Sequence, residues 1–306
     1  MSAYLVRRVI RALVVIVGVS FISFAILFLS GDPADLLIGE DWSREEVAAF
    51  RHRMGFDRPW YVQYLDFVRK AALHQDFGES LRHGAPSFQL IMERLPATME
   101  LAVAALFLSV VVACPVGIIS AVRRNSVYDY AGMFGALLGQ SIPVFWLGIM
   151  LILLFGVYLR WFPISGRGGL EHLVLPALAL ATYSVARNAR VVRSSMLEVL
   201  RQDYVTTARA KGLSELLIVN RHALMNALIP VVTIIGLEFG HLLGGAVIIE
   251  TIFAWPGVGR LMIQAVYSKD FPLVQASVTI MALIFVSLNL IVDFLYTYLD
   301  PRVRLH

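Results

Sequence analysis

The chain has 306 residues, of which 58% are hydrophobic and only 16% charged, with a formal charge of +4. That balance is too apolar for a soluble domain and places the chain in a bilayer. The small positive charge calls for no nucleic-acid partner, because the arginines fall where membrane topology wants them.

Stretches with few or no charges recur at residues 12–30, 101–122, 130–159, 173–186, 223–249 and 271–292, and a spanning helix needs about 20 such residues. An all-α polytopic membrane protein with about six spanning helices is therefore expected. In the first stretch, Arg7 and Arg8 precede a long apolar run with no Ala-x-Ala-like site after it, which reads as an uncleaved helix and not a signal peptide. The fourth stretch meets Arg187 early, so Arg187 and Arg190 must reach the headgroups or pack inside the bundle.

Residues 31–96 form the one large segment between apolar stretches outside the membrane, and two short amphipathic helices are expected in it. Ser43-Arg44-Glu45-Glu46 is a capping box ahead of Val47, Phe50 and Met54, and Tyr61, Tyr64, Leu65 and Val68 recur at helical spacing after Pro59. These helices either cap the bundle or help to receive a partner or substrate. Cys114 is the only cysteine, so an intramolecular disulfide or a thiolate metal cluster is excluded, and a small apolar packing residue is expected there.

Basic residues mark the cytoplasmic side. With the N-terminus inside, that side carries Arg7, Arg8, Arg11, Arg123, Arg124, Arg187, Arg190, Arg193, Arg201, Arg209, Lys211, Arg221, Arg302 and Arg304, against only Arg160, Arg167, Arg260 and Lys269 in the short outer loops. Both termini and the segment 196–222 are therefore expected in the cytoplasm.

That segment has its own pattern. Asp203 is placed to cap a helix from Tyr204 to Lys211, with Arg209 and Lys211 in the last turn where cations suit the helix dipole. Gly212 supplies a left-handed stop. Ser214 is placed to cap a second helix, with Glu215 in its first turn and Leu216, Leu217, Val219 and Leu224 as its apolar residues. Ala208 and Ala210 allow close approach, and Tyr204 is placed to enter a partner's groove. On these residues alone the hairpin either docks something or only links two spans.

In the fifth stretch Glu238 and His241 lie three apart on one helical face. Ionisable groups inside a span face the bundle interior or an aqueous path, so the two either line a path or form an internal packing pair. Two ligands fall short of a metal site, and none is expected. Gly236, Gly240, Gly244 and Gly245 offer small-residue surfaces for close helix contact. After this stretch, Trp255-Pro256-Gly257 precedes a helical pattern through Leu261, Ile263 and Val266, to be read either as an outer gate or as a surface cap. Asp293, near the end of the last stretch, is expected to be a structural cap or an interface residue. No catalytic residues are expected: the only lysines are Lys70, Lys211 and Lys269 and no phosphate loop is present, nor is there a Gly-x-Ser-x-Gly elbow or a His-Glu-x-x-His pair.

The run from Asp203 to Leu213, Asp-Tyr-Val-Thr-Thr-Ala-Arg-Ala-Lys-Gly-Leu, resembles the cytoplasmic loop of binding-protein-dependent ABC importer permeases, specifically the first permease subunit of the peptide and nickel family. The likeness continues through Gly31-Asp32-Pro33-Ala34, Asp76-Phe77-Gly78-Glu79-Ser80 and Arg94-Leu95-Pro96-Ala97-Thr98. Further on it includes Ser141-Ile142-Pro143-Val144-Phe145, Trp255-Pro256-Gly257-Val258-Gly259-Arg260 and Leu299-Asp300-Pro301-Arg302. The resemblance implies a type I ABC importer transmembrane fold. Its divisions would be a first helix with an extracytoplasmic segment (1–94), a core (95–300) carrying a coupling loop at 196–222, and a cytoplasmic tail (301–306).

It implies that the loop docks an ATPase through Glu198, Asp203, Tyr204, Thr207, Ala208, Arg209, Ala210, Lys211 and Gly212. Gly212 matches the family's defining glycine and Ala208 the last alanine of its Glu-Ala-Ala signature. Thr206 and Thr207 replace the glutamate and first alanine, and Pro230 lies farther from the glycine than in sugar-type loops. The implied partners are a second, homologous permease subunit, two cytoplasmic ABC ATPases that hold ATP and Mg, an extracytoplasmic solute-binding protein and the lipid of a bacterial or archaeal cytoplasmic (inner) membrane. The implied cargo is a small peptide, with nickel, glutathione or another small solute as alternatives. The competing class, an ATP-independent secondary transporter or channel, lacks its expected features here, a second matching half or several buried charges.

Overall fold

The structure is a computed structural model and describes residues 2–29, 45–46, 49, 51–52 and 57–299. Among the described residues there is no β-strand, only an isolated bridge between Glu79 and Pro86. The helices are α1 (Ser2–Leu29), α2 (Trp60–His74), α3 (Ser87–Val122), α4 (Val127–Ser141), α5 (Val144–Leu151), α6 (Leu170–Val199), α7 (Asp203–Ala210), α8 (Leu224–Ile252), α9 (Val258–Tyr267) and α10 (Phe271–Leu299). They fall into two compact units, Met1–Pro96 with Gly257–Leu290, and Ala97–Pro256 with Ile291–His306.

In the first unit α1 leaves Leu13, Val14, Val17 and Ile26 more than half exposed, as expected of a helix surrounded by hydrocarbon. α2 lies on α1 through Tyr64, whose hydroxyl donates to the Val17 carbonyl (3.1 Å) and lies 2.9 Å from Ser20 Oγ. Its ring meets Phe21 edge-on at 5.3 Å. The packed face of α2 continues through Phe67 and Ala71, against a core that includes Phe77, Ile91, Leu261, Leu273 and Ile280. Tyr61 and Leu65, expected on this face, are 53% and 63% exposed; the 64/67/71 stripe prevails because it is the one that meets both α1 and the core. Pro59 precedes the helix, its carbonyl accepting from the Val62 and Gln63 amides. Residues 43 and 44 of the expected capping box, and Val47, Phe50 and Met54, lie outside the described residues. The buried Asp270 carboxylate accepts from Ser80 Oγ (2.5 Å) and from the amides of Leu81, Arg82 and Leu273. It thereby caps α10 and holds the 80–82 loop.

In the second unit the third apolar stretch is broken. Pro143 has no amide hydrogen to extend α4, and the pair Val127–Ser141 and Val144–Tyr158 bends by 99°. α6 runs through Arg187, Arg190 and Arg193 as one helix, and each finds a side-chain partner. Arg193 makes a two-pronged ion pair with the buried Asp129 (2.7 Å from Nε and from Nη2). Arg190 donates to Gln140 Oε1, and Arg187 lies 3.5 Å from Glu238 Oε1. Arg190 is exposed and Arg187 half-buried, so these side chains pair with the bundle without being enclosed in it. Among the described residues four helices are long and apolar enough to cross a membrane, α1, α3, α8 and α10, or five if the bent pair is one span; the remaining expected stretch lies in α6, 30 residues long. Two features set the third and fourth stretches apart, the break at Pro143 and the charges that α6 carries in its own helix.

The core of this unit joins Val192 and Met196 of α6 to Ala223, Ala227 and Val231, with Cys114 packed against it. Gly117 makes this approach possible, since a Cβ there would sit 2.6 Å from Val192 Cβ. The glycine surface of α8 is used inside the chain as well: a Cβ on Gly236 would sit 2.8 Å from Val292, and one on Gly245 3.0 Å from Leu180.

Candidate functional site

The 196–222 segment folds as the pattern predicts, with two corrections. α7 starts at Asp203, but its cap is Gln202, in extended backbone with φ −72° and ψ 149°. Asp203 already lies in the first turn, where its carbonyl accepts from Thr207 Oγ1 (2.9 Å) and its carboxylate suits the positive helix end. The helix ends on Gly212 at φ +78°, with the Leu213 amide donating to the Ala208 carbonyl and the Gly212 amide to that of Arg209. This pair of bonds is a complete Schellman motif, which satisfies carbonyls that would otherwise be orphaned. Ser214 takes the cap position through its backbone: its carbonyl accepts from Leu217 and Ile218 at 3.0 Å, and its hydroxyl makes no cap bond. The second arm is not a separate helix. Glu215–Leu217 passes through a π-helical turn, Ile218–Ala223, directly into α8.

Ala208 is buried with Val205 and Ile218 in a small core to which Leu200 adds, so it closes the hairpin on itself. What faces outward is Asp203, Tyr204, Thr207, Arg209, Ala210, Lys211, Gly212 and the 76% exposed Leu216. Glu198 is exposed in the last turn of α6. Tyr204 is positioned by Asn226, whose Nδ2 donates to its hydroxyl at 2.9 Å. Arg209 spans the corner to Glu215, Nε to Oε1 at 2.7 Å, and this guanidinium holds the Glu215 carboxyl below the usual carboxylate range. That bridge was absent from the sequence reading, although basic and acidic residues six apart across a Gly-Leu-Ser corner are its signal.

The structure separates Glu238 from His241. The Glu238 carboxylate is buried, accepting from Asn188 Nδ2 (2.9 Å) beside Arg187, while Asn188 also donates to Ser109 (2.9 Å). Among the described residues Asn188 Oδ1 accepts no hydrogen bond. His241 is exposed and lines a cavity beside the bend between α4 and α5. The two do not act as one pair: Glu238 makes a contact between α6 and α8, and His241 takes no part in it. Among the described residues no cluster of three or more His, Cys, Asp or Glu side chains is placed to hold a metal ion.

Trp255 lies deep: its side chain is fully buried, its Nε1 donates to the Ala97 carbonyl (2.8 Å), and its amide donates to the Glu250 carbonyl (2.8 Å). The buried Glu250 accepts from Thr98 Oγ1 at 2.6 Å. Pro256 is half-buried, and the buried Gly257 caps α9 in extended backbone. These residues form a joint in the packing.

The hairpin is closed on its own small core and presents polar and aliphatic side chains outward at the foot of a long apolar helix. Two family models match the chain: the binding-protein-dependent transport system inner membrane component over residues 113–305, and the N-terminal part of that membrane component over residues 1–102. The chain belongs to this family of inner-membrane transport subunits. It is 40% identical to the dipeptide transport system permease protein of Alkalihalophilus pseudofirmus, over 99% of this chain and 100% of that one. It is also 40% identical to the oligopeptide transport system permease protein of Bacillus subtilis, over 99% and 100%, and 37% identical to the dipeptide transport system permease protein of Escherichia coli, over 99% of each. Solved structures share the fold. A chain of an inward-facing methionine ABC transporter matches with a TM-score of 0.56 at 19% identity, over 69% of this chain and 97% of that one. One of an amino acid ABC transporter matches at 0.52 and 18%, over 70% and 94%. The fold is therefore that of type I ABC importer membrane subunits.

Proposed function

We propose that the chain is the permease subunit of an ATP-driven importer that carries small peptides across the inner membrane. The observation that carries the cargo class is the 40% identity over nearly the whole chain to a dipeptide permease. In this reading both termini and the 196–222 loop face the cytoplasm, the core spans 95–300, and the segment 31–94 is extracytoplasmic. Two separate ATPases bind ATP and Mg, a second permease subunit completes the path, and an extracytoplasmic binding protein delivers the peptide. The outward face of α7, from Asp203 to Lys211, seats on an ATPase. A loop that couples must contact the ATPase differently in two states, since only differential contact shifts an equilibrium. The loop's attachment supports this role: one arm continues without a break into α8, so movement at Leu216 is carried along a helix of 29 residues.

Two experiments test the reading. Removal of residues 203–213, or Gly212→Pro, is expected to release the ATPases on co-purification; retention of both the ATPases and ATP-driven uptake would remove the docking role. Uptake of a labelled dipeptide, a labelled tripeptide and labelled nickel is compared in cells with and without the gene. Gene-dependent, ATP-dependent peptide uptake is expected, and nickel uptake alone would move the cargo to the metal branch.

A further inference from the structure

The bend between α4 and α5 leaves, inside the second unit, a cavity of about 310 Å³. That lies at the small end of the range for ligand sites, about 300–1,000 Å³. Five polar side chains line its wall: Gln140 from the end of α4, Thr182, Tyr183 and Ser184 from α6, and His241 from α8. The Thr182 hydroxyl donates to the Leu178 carbonyl of its own helix and Ser184 is buried, which leaves Gln140, Tyr183 and His241. Val144, Leu147 and Leu242 supply apolar surface, and no Asp, Glu, Lys or Arg is among the lining residues. Gln140 Oε1 is occupied by Arg190, which leaves its Nε2 to donate. Tyr183 is 51% exposed and His241 is exposed, and each has donor and acceptor capacity that suits an amide group.

Given the peptide-importer reading, on which this rests, the geometry points to this cavity as a transit site for the peptide main chain, with Gln140, Tyr183 and His241 hydrogen-bonding its amide groups. A neutral polar wall reads what all peptides share. A charged wall would select side chains and hold oppositely charged ones too long, whereas conduction needs sites that bind weakly enough to release. The apolar surface admits side chains of differing shape at little cost, because it offers them no polar group to leave unpaired.

The test uses the complete transporter, purified with its partner subunits and reconstituted in proteoliposomes, with labelled Ala-Ala, Lys-Ala and Glu-Ala as cargo. Per assembled complex, His241→Ala is expected to slow all three alike, by about five- to tenfold, the worth of one hydrogen bond, and His241→Gln to recover most of the rate. A loss confined to one charged peptide, a loss that glutamine does not recover, or no loss at all overturns the site. A second measurement does not depend on the His241 variants folding well. In a Cys114→Ala background, Val144→Cys is expected to react with a charged methanethiosulfonate, more slowly when Ala-Ala is in excess. Absence of reaction, or reaction indifferent to the peptide, overturns it. If the unaltered transporter carries none of the three peptides, the peptide reading itself fails, an outcome distinct from normal transport with insensitive variants.

Discussion

Two corners, 200–217 inside the second unit and 250–257 where the chain leaves that unit, drew attention in the sequence for the same reason, a glycine-bearing turn between helical runs, yet they are built in opposite ways. At Gly212 the turn is held by main-chain bonds and by three small or aliphatic side chains, and its polar side chains are turned outward. At Trp255 the turn is held by side chains: an indole and a carboxylate, both fully buried, bond to Ala97 and Thr98 at the far end of the unit's sequence. A corner that holds its shape through backbone keeps its surface available to a partner. A corner that spends its side chains on packing has none left to offer.

The contrast can be broken at several points. The largest expected effect is Trp255→Ala, which removes a buried ring and a donor and is expected to cost about 3–5 kcal/mol. It should appear as a large drop in thermal midpoint in detergent and little accumulated protein. Normal stability with impaired delivery from the binding protein would point to the outer gate. Thr98→Val, nearly isosteric, takes one donor from the buried Glu250 and is expected to cost about 1–3 kcal/mol by the same assay.

Gly212→Ala sharpens the other side. A Cβ there meets nothing within 4 Å, so the cost is that of the left-handed backbone alone, about 1–2 kcal/mol. It should leave the thermal midpoint of the bundle almost unchanged while raising hydrogen exchange at Leu213 and weakening ATPase retention. The smallest effect is that of acid on the Arg209–Glu215 bridge. The folded-state value for Glu215 is lowered, so the bridge's contribution is present above the ordinary carboxylate value, about 4.3, and is lost as pH falls through the lowered one. Exchange at Leu213 is expected to be flat from pH 9 to 6, after correction for intrinsic rates, and to rise only in strong acid. Glu215→Gln should abolish the acid step.

The Gly212 corner was legible because its determinants are local. A helix-patterned run, a glycine in position for left-handed backbone and a serine after it all fall within a dozen residues. The Trp255 joint was not, because the residue that satisfies the indole lies 158 positions away and nothing in Trp-Pro-Gly announces its depth. The Asp129–Arg193 pair, 64 apart, was hidden in the same way. Glu238 and His241 show a subtler limit. Residues three apart on a helix are about 60° apart around its axis, close enough to be read as one face, and wide enough here for a neighbouring helix to cover one and leave the other open. The break in the third stretch was hidden too, because hydropathy sums apolar residues but is blind to one proline and to the partners that arginines find.

The wide turn at Ile218–Ala223 has a consequence for the chain's tolerance of changes in length. A π turn holds one residue more than an α turn, so it acts as slack between the hairpin and α8. Losing one residue there converts the turn to ordinary helix and leaves both flanks in phase. Losing one between Val231 and Gly236 instead rotates the start of α8 by about 100° relative to the rest, swinging the Ala227 and Val231 face out of register with Glu238 and uncoupling the hairpin's seat from the Asn188 contact.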